Sequence, residues 1–394
     1  MRGGVPGRCL HRIDQIAEVL LNMRVVVDGV IFQAQKYGGI SRIFHEIMPR
    51  ICALDQSVEF ILYTDGILLQ HLPCHPRIIQ KKNFPIHSFL RPQRLWAPLT
   101  PVLRQIFQKM VLGDGQGVLW HSTFFTWPKG WKGKRVVTVY DLIHEKFSHL
   151  FNGRDDDLFR KEKKECIEQA DAVITISETT RQDVHKLYGT PLSSIFPAHL
   201  ACSEAFKVLG ENEKKPLPLI TKPFLLYVGG RVHYKNFDLL VQAFDRWPQA
   251  KHAQLVLVGD ALNEAEERKL RELNILEHVC VMSKAGDDTL CQLYNQAAAF
   301  VYPSLYEGFG IPLLEAMNCG CPVVASRIPT TQEIAADIPL YFEPTSVEGL
   351  VHALTQVFQG KDMERVASGL ARAKTFSWDQ TAEETLKVYR KVLQ

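Results

Sequence analysis

Two carboxylates lie close together in a glycine-containing stretch of the chain, residues 300–326 (FVYPSLYEGFGIPLLEAMNCGCPVVAS). A strand pattern ends there and a loop follows. A helix is predicted to begin near Pro312, since proline is favoured in a first helical turn. Gly308 and Gly310 would let the backbone approach a ligand closely, and the free N–H groups of a helix start bind anions. The stretch therefore predicts a site for an anionic ligand.

Glu307 in this loop and Glu315 in the predicted helix would face such a ligand from two sides. Carboxylate oxygens accept hydrogen bonds from hydroxyl groups, whereas helix amides suit a diphosphate. Together these groups favour a sugar nucleotide as the ligand. In the alternative interpretation, Glu307 caps a turn and Glu315 lies on a solvated helix face.

A second strand–glycine–helix pattern covers residues 224–244 (FLLYVGGRVHYKNFDLLVQAF), with Arg231 and Lys235 in its loop. Two cations beside a glycine turn would neutralise the charge that builds on a diphosphate leaving group as its bond breaks. The alternative is a basic loop that binds no ligand.

The elements around these loops follow the pattern of parallel βαβ units, in which continuous apolar runs alternate with amphipathic helices. The predicted strands cover residues 25–29, 58–64, 117–121, 135–141, 172–177, 224–230, 253–260, 279–282, 298–304 and 322–326. The predicted helices cover residues 40–51, 99–111, 238–245, 265–273, 289–297, 312–319 and 381–393. A polar, proline-containing segment, 207–223, separates the two series. The fold class is thus α/β, with two Rossmann-like halves and a ligand cleft between them.

Composition narrows the class of protein further. Of the 394 residues, 46% are hydrophobic and 23% charged, and the formal net charge is +3, which argues against a dedicated nucleic-acid binder. No apolar run approaches the roughly 18 residues of a membrane span. The nine cysteines are scattered and odd in number, which favours a reduced cytoplasmic protein over a disulfide framework or a zinc site.

The first 22 residues lack the apolar core of a signal peptide. The strand pattern directly after Met23 favours that methionine as the natural start, with residues 1–22 a disordered or mis-assigned extension. A short docking helix over residues 13–21 is the alternative.

Several motifs together resemble one family. EGFGIPLLEA resembles the E-x7-E signature of retaining glycosyltransferases of family four, which have the GT-B fold, and GGRVHYKNF resembles that family's Arg/Lys phosphate loop. DGVIFQAQKYGGISRIFHEI is similar to its N-terminal glycine loop, and ADAVITISETTRQDV to its interdomain strand and helix. FSWDQTAEETLKVYRKVL is similar to the C-terminal helix that crosses back to the first domain. The resemblance extends over nearly the whole chain from Met23.

The resemblance implies a domain organisation around a central cleft. The implied segments are an extension (1–22), an acceptor-side Rossmann-like domain (23–206), a linker (207–223), a nucleotide-sugar-binding Rossmann-like domain (224–375) and a crossover helix (376–394).

The family resemblance also implies roles for the residues of this chain at matching positions. Glu307 would contact hydroxyls of the donor sugar, Glu315 the nucleotide ribose, and Arg231 with Lys235 the diphosphate. The remaining implied donor contacts are Gly308, Phe309, Gly310 and Ile311 through their amides, Gly38 and Gly39 from the first domain, and the base-cradling loop from Ser283 to Gly286. No bound metal is implied, and the aspartates at 155–157 and 287–288 lie in polar stretches predicted to be at the surface.

One position departs from the family pattern. Where many relatives have His-Asp at a strand end, this chain has Tyr140 and Asp141, with His144 three residues later. Tyrosine is a poor base near neutrality, since its reference pKa is about 10. Either Asp141 and His144 take the role of the histidine that lies near the donor sugar in relatives, or this subgroup does not need that histidine. His121 also follows a strand pattern and could face the acceptor; the alternative is that these are ordinary core residues.

The expected function is transfer of a hexose with retention, without a metal, from a nucleotide sugar to a glycan or lipid-linked acceptor in polysaccharide biosynthesis. The YGGISRIF stretch resembles bacterial mannosyltransferases of polysaccharide, lipopolysaccharide and O-antigen assembly, which favours GDP-mannose first and a UDP-hexose second. The alternatives are a GT-B sugar-nucleotide epimerase and a catalytically inert partner of another transferase.

Residues 66–113 contain no Asp or Glu but carry seven basic residues interleaved with aromatic ones. A second basic–aromatic cluster follows at 127–135 (WPKGWKGKR). Such segments suit an anionic lipid surface, so we expect reversible contact with the inner membrane face and no nucleic-acid partner. An acidic glycan acceptor, or a helix with solvated lysines, would also explain the pattern.

Overall fold

The computed structural model describes residues 23–34, 39–64, 67–83, 100–283 and 285–394. Three predictions therefore lie outside the described residues: the extension 1–22, Gly38 and the basic–aromatic stretch from 84 to 99.

The first sheet contains seven parallel strands in the order β3-β2-β1-β4-β5-β6-β7. Its strands are β1 (Met23–Asp28), β2 (Val58–Thr64), β3 (Ile78–Lys82), β4 (Leu119–Ser122), β5 (Lys134–Val139), β6 (Ala172–Thr175) and β7 (Ile195–Pro197). The helices of this half are α1 (Val30–Ala34), α2 (Gly39–Leu54), α3 (Thr100–Leu112), α4 (Ile143–Lys146), α5 (Arg154–Glu168) and α6 (Glu178–Tyr188).

The second sheet contains six parallel strands in the order β10-β9-β8-β11-β12-β13. Its strands are β8 (Phe224–Val228), β9 (Gln254–Val258), β10 (Val279–Met282), β11 (Ala299–Tyr302), β12 (Val323–Ser326) and β13 (Leu340–Phe342). The remaining helices are α7 (Phe237–Arg246), α8 (Glu264–Glu272), α9 (Asp287–Gln296), α10 (Ile311–Asn318), α11 (Pro329–Ala335), α12 (Val347–Phe358), α13 (Met363–Ala373) and α14 (Trp378–Leu393).

The continuous apolar strands are explained by burial of both faces of each sheet. In β1, Val25 and Val27 face the core that the helices of one layer share, whereas Val26 packs in a separate cluster with Trp120. That second cluster also buries Trp131 of the 127–135 stretch, so this ring is a core residue and does not face a lipid surface. The two Rossmann-like sheets confirm the predicted GT-B arrangement.

The C-terminal helix α14 returns to the first half of the chain, as the family resemblance implies. It packs against α2, and its Tyr389 reaches the core of the first sheet. Ion pairs hold both of its ends, from Asp379 to Arg50 at 3.0 Å and from Arg390 to Asp55 at 2.7 Å. The first sheet is therefore covered in part by the last residues of the chain.

Within the described residues, none of the helices has the length and apolar character needed to cross a bilayer.

Candidate active site

The predicted carboxylate and cation meet at the carboxyl ends of the second sheet. Lys235 ends a short 3-10 turn, His233–Lys235, that follows β8, and Glu307 lies in the loop after β11. The Lys235 Nζ donates to both carboxylate oxygens of Glu307, at 2.7 and 3.0 Å. Burial disfavours the charged ammonium, but the Glu307 carboxylate outweighs it and raises the pKa of Lys235. The pair is thus a fixed, ionised unit with Glu307 only 7% exposed.

Arg231 is immobilised beside this pair, with only 4% of its side chain exposed. Its Nε donates to Glu266 at 2.9 Å, and its Nη2 donates to the carbonyl oxygens of Asp260 at 2.9 Å and Ala261 at 2.7 Å. The remaining nitrogen, Nη1, is buried without a hydrogen-bond partner. A buried donor without a partner is costly, so this nitrogen suits a ligand oxygen such as that of a phosphate.

Glu315 lies in the second turn of α10 and is 6% exposed. The Tyr294 hydroxyl donates to it at 3.0 Å from α9. Burial raises the pKa of Glu315 to about 7, although the Tyr294 hydrogen bond and the charge of Arg42 oppose the rise. Arg42, from the first turn of α2, pairs with Asp287 at the start of α9, so a cation from the first half of the chain lies near this carboxyl.

The loop between Glu307 and α10 is shaped for close approach to the other domain. A methyl group at Gly308 would overlap the carbonyl oxygen of Tyr140, and Gly310 has φ +105°, where other residues are strained. Ile311 opens α10 with Gly310 as its N-cap. The Phe309 ring, in contrast, is buried against His199 and Phe376, so only its backbone can serve a ligand.

Asp141 is brought to this site, whereas the His144 ring packs in an aromatic cluster and its Nδ1 is buried without a hydrogen-bond partner. Asp141 follows β5, and its Cβ lies 3.2 Å from where a Cβ at Gly308 would be. The His144 ring packs on Phe151 and Phe159, with centroids 4.4 and 4.7 Å away. Burial and the neighbouring Lys163 charge lower the pKa of His144. Its surroundings are those of a packing residue.

The side chains of His121, which could have faced the acceptor, and of Tyr140, which stands where many relatives have histidine, both lie in the core. The His121 ring nitrogens bond the Tyr389 hydroxyl at 2.6 Å and the Thr138 Oγ1 at 2.8 Å, and burial lowers its pKa to about 3. The Tyr140 hydroxyl donates to the carbonyl oxygen of Thr123 at 2.9 Å, and burial raises its pKa well above 10. Neither side chain has a free polar atom for an acceptor; Tyr140 contributes its backbone to the cleft.

Gly39 and Ser283, two of the residues expected to contact the donor, are exposed. Gly39 begins α2 and lies near the Ile311 side chain, and Ser283 forms the turn after β10. Asp287, predicted to lie at the surface, is partly exposed and accepts a hydrogen bond from Arg42 of the other half. Among the residues that the structure describes, no group of three or more His, Cys, Asp or Glu side chains is arranged to hold a metal ion.

Four side chains were not predicted from the sequence: Arg42 and Tyr294 near Glu315, Ser177, which donates to the Gly308 carbonyl oxygen, and Glu333, which accepts from the start of α6. Ser177 could have been found, because Ser-x-x-Thr before a helical pattern is an N-cap signal. The other three act over long sequence separations and carry no local signal.

Comparison with known proteins agrees with this geometry. The family description "Glycosyltransferase Family 4" matches residues 37–197, and "Glycosyl transferases group 1" matches residues 210–373. The chain belongs to these glycosyltransferases. Its first half supplies the family-four domain, and its second half supplies the group-1 domain with Arg231, Lys235, Glu307 and Glu315.

This glycosyltransferase is similar in sequence to two mannosyltransferases. O-antigen chain mannosyltransferase B of Escherichia coli is 28% identical over 372 residues, which cover 89% of this chain and 96% of the relative. The serotype-specific mannosyltransferase WbdA of Escherichia coli is 28% identical over 277 residues, which cover 66% of this chain but only 34% of the relative.

Solved structures share the fold at low identity. The sucrose-phosphate synthase of Thermosynechococcus elongatus superposes with a TM-score of 0.70 at 19% identity, covering 94% of this chain and 99% of that one. WaaG, a glycosyltransferase involved in lipopolysaccharide biosynthesis, superposes with a TM-score of 0.68 at 18% identity, covering 92% and 99%. These likenesses confirm the GT-B fold for the glycosyltransferase described here.

Proposed function

We propose that this glycosyltransferase moves a mannosyl group, with retention, from a nucleotide diphosphate sugar to a hydroxyl of a glycan or lipid-linked acceptor in polysaccharide biosynthesis. The observation that carries the proposal is the convergence of the Lys235–Glu307 pair, the unpartnered Arg231 Nη1 and the start of α10 at one cleft. Residues 224–375 then hold the donor, and residues 23–206 receive the acceptor.

The donor diphosphate is proposed to lie between Arg231, Lys235 and the amides at 308–311. These groups are fixed before the ligand arrives, so they stabilise the charge of the leaving group without reorganising. Glu307 holds hydroxyls of the sugar, and Glu315 holds the ribose. Asp141, which lies next to Gly308, approaches the sugar from the other domain in this proposal.

Retention follows if the acceptor attacks the same face of the sugar that the diphosphate leaves. The leaving phosphate oxygen then takes the acceptor proton, and the bond from anomeric carbon to that phosphate oxygen is replaced by one to the acceptor oxygen. Because Glu307 is paired with Lys235, it serves better as a hydrogen-bond acceptor than as a nucleophile. Arg231 and Lys235 stabilise the negative charge of the leaving diphosphate, as a metal ion does in other transferases.

Mannose is favoured as the sugar because O-antigen chain mannosyltransferase B and the mannosyltransferase WbdA are among the relatives. GDP-mannose is therefore the first donor to test. A UDP-hexose is the second, since HepE, a structural neighbour, was solved with UDP-glucose.

Contact with an anionic membrane is the second part of the proposal, and α3 supports it. Val102, Ile106 and Met110 recur every fourth residue and are 52%, 50% and 73% exposed, so one apolar stripe faces outward. Lys109 on α3 and Lys82 on the edge strand β3 are both exposed and basic. An apolar stripe beside cations suits the cytoplasmic leaflet, where a lipid-linked acceptor would be met.

The donor is tested by thermal shift with a panel of nucleotide sugars, followed by transfer assays with the one that binds. A donor at a hundredfold excess over its Kd raises the free energy of unfolding by about 2.7 kcal/mol. Stabilisation by GDP-mannose and release of GDP only with acceptor support the proposal. An epimerised sugar nucleotide, or no stabilisation by any donor, contradicts it.

Membrane contact is tested by co-sedimentation with anionic and neutral vesicles. We expect binding to anionic vesicles that high salt weakens, and a loss in Ile106→Asp. Equal binding to anionic and neutral vesicles contradicts the proposed membrane contact but not the proposed transfer reaction.

A further inference from the structure

The first turn of α6 holds a carboxylate that comes from the other domain. Glu333 on α11 accepts from the backbone N–H groups of Glu178 at 2.6 Å and Thr179 at 2.8 Å, and from the Thr179 Oγ1 at 2.6 Å. His199 Nε2 lies 2.7 Å from the same carboxylate. The first N–H groups of a helix have no partner within the helix, and an anion is favoured there. Glu333 therefore joins the two halves of the chain at a helix end.

The same turn of α6 also bonds the loop that carries Glu307. Ser177 Oγ and Thr180 Oγ1 donate to the carbonyl oxygen of Gly308, at 2.6 and 3.3 Å. From its own domain, Thr330 Oγ1 on α11 donates to the carbonyl oxygen of Glu307 at 2.7 Å. Two successive carbonyl groups of the loop are thus held by hydroxyls from two helices.

Glu333 closes this arrangement, because it ties α11, which holds the Glu307 carbonyl, to α6, which holds the Gly308 carbonyl. We call Ser177, Thr179, Thr180, Thr330 and Glu333 the interdomain clasp. Burial opposes ionisation of Glu333, but the hydrogen bonds from His199 and Thr179 outweigh it and lower its pKa. The carboxylate is therefore an ionised acceptor for the clasp.

We propose that Glu333 is a positioning residue for the transfer reaction: through the clasp it fixes the loop of Glu307 and Gly308 when the two domains are in contact. The part concerning transfer rests on the proposed function. Glu333 itself does not contact Glu307's carboxylate, which Lys235 holds.

The clasp lies between the domains and, of the proposed donor contacts, bears only on the loop at 307–308, whose amides are one part of the proposed diphosphate site. Arg231 is held by Glu266, and Glu315 by Tyr294, all within the second half of the chain. Loss of Glu333 therefore affects the placement of the loop more than the binding of a nucleotide. A misplacement of about 1 Å in reacting groups costs on the order of 100-fold in rate.

The test compares Glu333→Ala and Glu333→Gln with a matched control, Ser346→Ala. Ser346 caps α12 by accepting from the Gly349 N–H at 2.9 Å, so its loss removes a helix cap away from the domain contact. We expect kcat for transfer to fall about 10- to 100-fold in Glu333→Ala, with donor KM changed less than threefold. Glu333→Gln should fall less, since its amide oxygen keeps one acceptor, and Ser346→Ala should keep wild-type kcat.

Hydrogen exchange gives a readout that does not depend on activity. In Glu333→Ala the peptide covering 305–311 should exchange faster, although Glu333 does not bond it, while Ser346→Ala leaves that peptide unchanged. Unchanged exchange at 305–311, or a kcat within twofold of wild type, overturns the proposal. If the wild-type protein transfers no sugar, the proposed function is wrong. The clasp is then still tested, because the exchange experiment does not depend on activity.

Discussion

The Tyr294 hydroxyl donates to the Glu315 carboxylate at 3.0 Å, and both side chains are buried between α9 and α10. A carboxyl in this position is destabilised when it is charged, which is why its pKa lies at about 7 rather than 4.5. The site proposed to hold the ribose therefore changes its charge near neutral pH.

Stability should depend on pH through Glu315. Because its pKa is higher in the folded than in the unfolded chain, its contribution is fully present below about pH 4.5 and is lost as pH rises through 7. The loss is on the order of 3 kcal/mol. Urea unfolding of wild type and Glu315→Gln at pH 5 and pH 8 measures it. The variant should lose less stability over this interval, while Glu277→Gln, whose side chain is 81% exposed, should behave as wild type.

Removing the hydroxyl in Tyr294→Phe should weaken donor binding rather than chemistry. The carboxylate loses a fixed donor, so we expect the pKa of Glu315 to rise further and donor KM to increase about 3- to 10-fold. Measurement of kcat and KM across pH 6–9 checks this. Tyr389→Phe, which removes another buried tyrosine hydroxyl bond, serves as control. A fall in kcat with unchanged KM would contradict the prediction.

Breaking the Lys235–Glu307 pair should strongly slow transfer. Lys235→Met leaves a buried carboxylate without its cation and removes a diphosphate contact. We expect kcat/KM to fall on the order of 100- to 1,000-fold. Lys269→Met, which breaks the more exposed pair with Asp238, should leave kcat/KM unchanged. Wild-type turnover by Lys235→Met would remove this residue from the site.

His121 should matter for stability and not for catalysis. It is neutral in the folded protein with a pKa of about 3, so its contribution is present above pH 6.5 and is lost as pH falls below that value. Between pH 6.5 and 5 the loss is about 2 kcal/mol. His121→Gln can keep hydrogen bonds to Tyr389 and Thr138 but cannot be protonated. Its free energy of unfolding in urea should depend less on acid pH, and its kcat at pH 7.5 should equal that of wild type. A lower kcat in a fully folded variant would indicate that His121 does contact the acceptor.

Gly308 should tolerate no side chain. A methyl group there meets the Tyr140 carbonyl oxygen of the other domain, so Gly308→Ala must separate the loop from β5's end. We expect kcat/KM to fall at least about 10-fold with little loss in the melting temperature. Gly210→Ala, an exposed glycine with room for a methyl group, is the control. Equal activity of the two variants would show that the close approach is not needed.

Much of the fold follows from local pattern, because strands covered on both faces are continuous apolar runs. The strands that were missed, β3, β7 and β13, lie at or near the edges, have three to five residues and include partly exposed positions. Two motifs implied that Glu307 and Lys235 belong to one donor site, but they did not predict the direct ion pair between them. The motifs could not say how their partners in the other domain hold them, since Ser177 and Gly308 are 131 residues apart.

The core placement of the His121 and Tyr140 side chains, which was the alternative interpretation, has one physical cause. Side chains alternate between the two faces of a strand, so a polar residue near the end of a strand points toward the cleft or into a helix layer depending on register. Their hydrogen bonds to Tyr389 and Thr123 show that both point inward.

The return of α14 to α2 has a consequence for synthesis of the chain. While the protein is being translated, the part of the first sheet that Tyr389 and Leu386 cover stays open to water, because those residues emerge long after the strands they cover. The half made first therefore finishes packing last, and its uncovered apolar surface persists while the second half is made. A frameshift or fusion that disturbs residues 378–393 should accordingly send the nascent chain toward aggregation or chaperones, although every residue proposed to bind the donor has already been made.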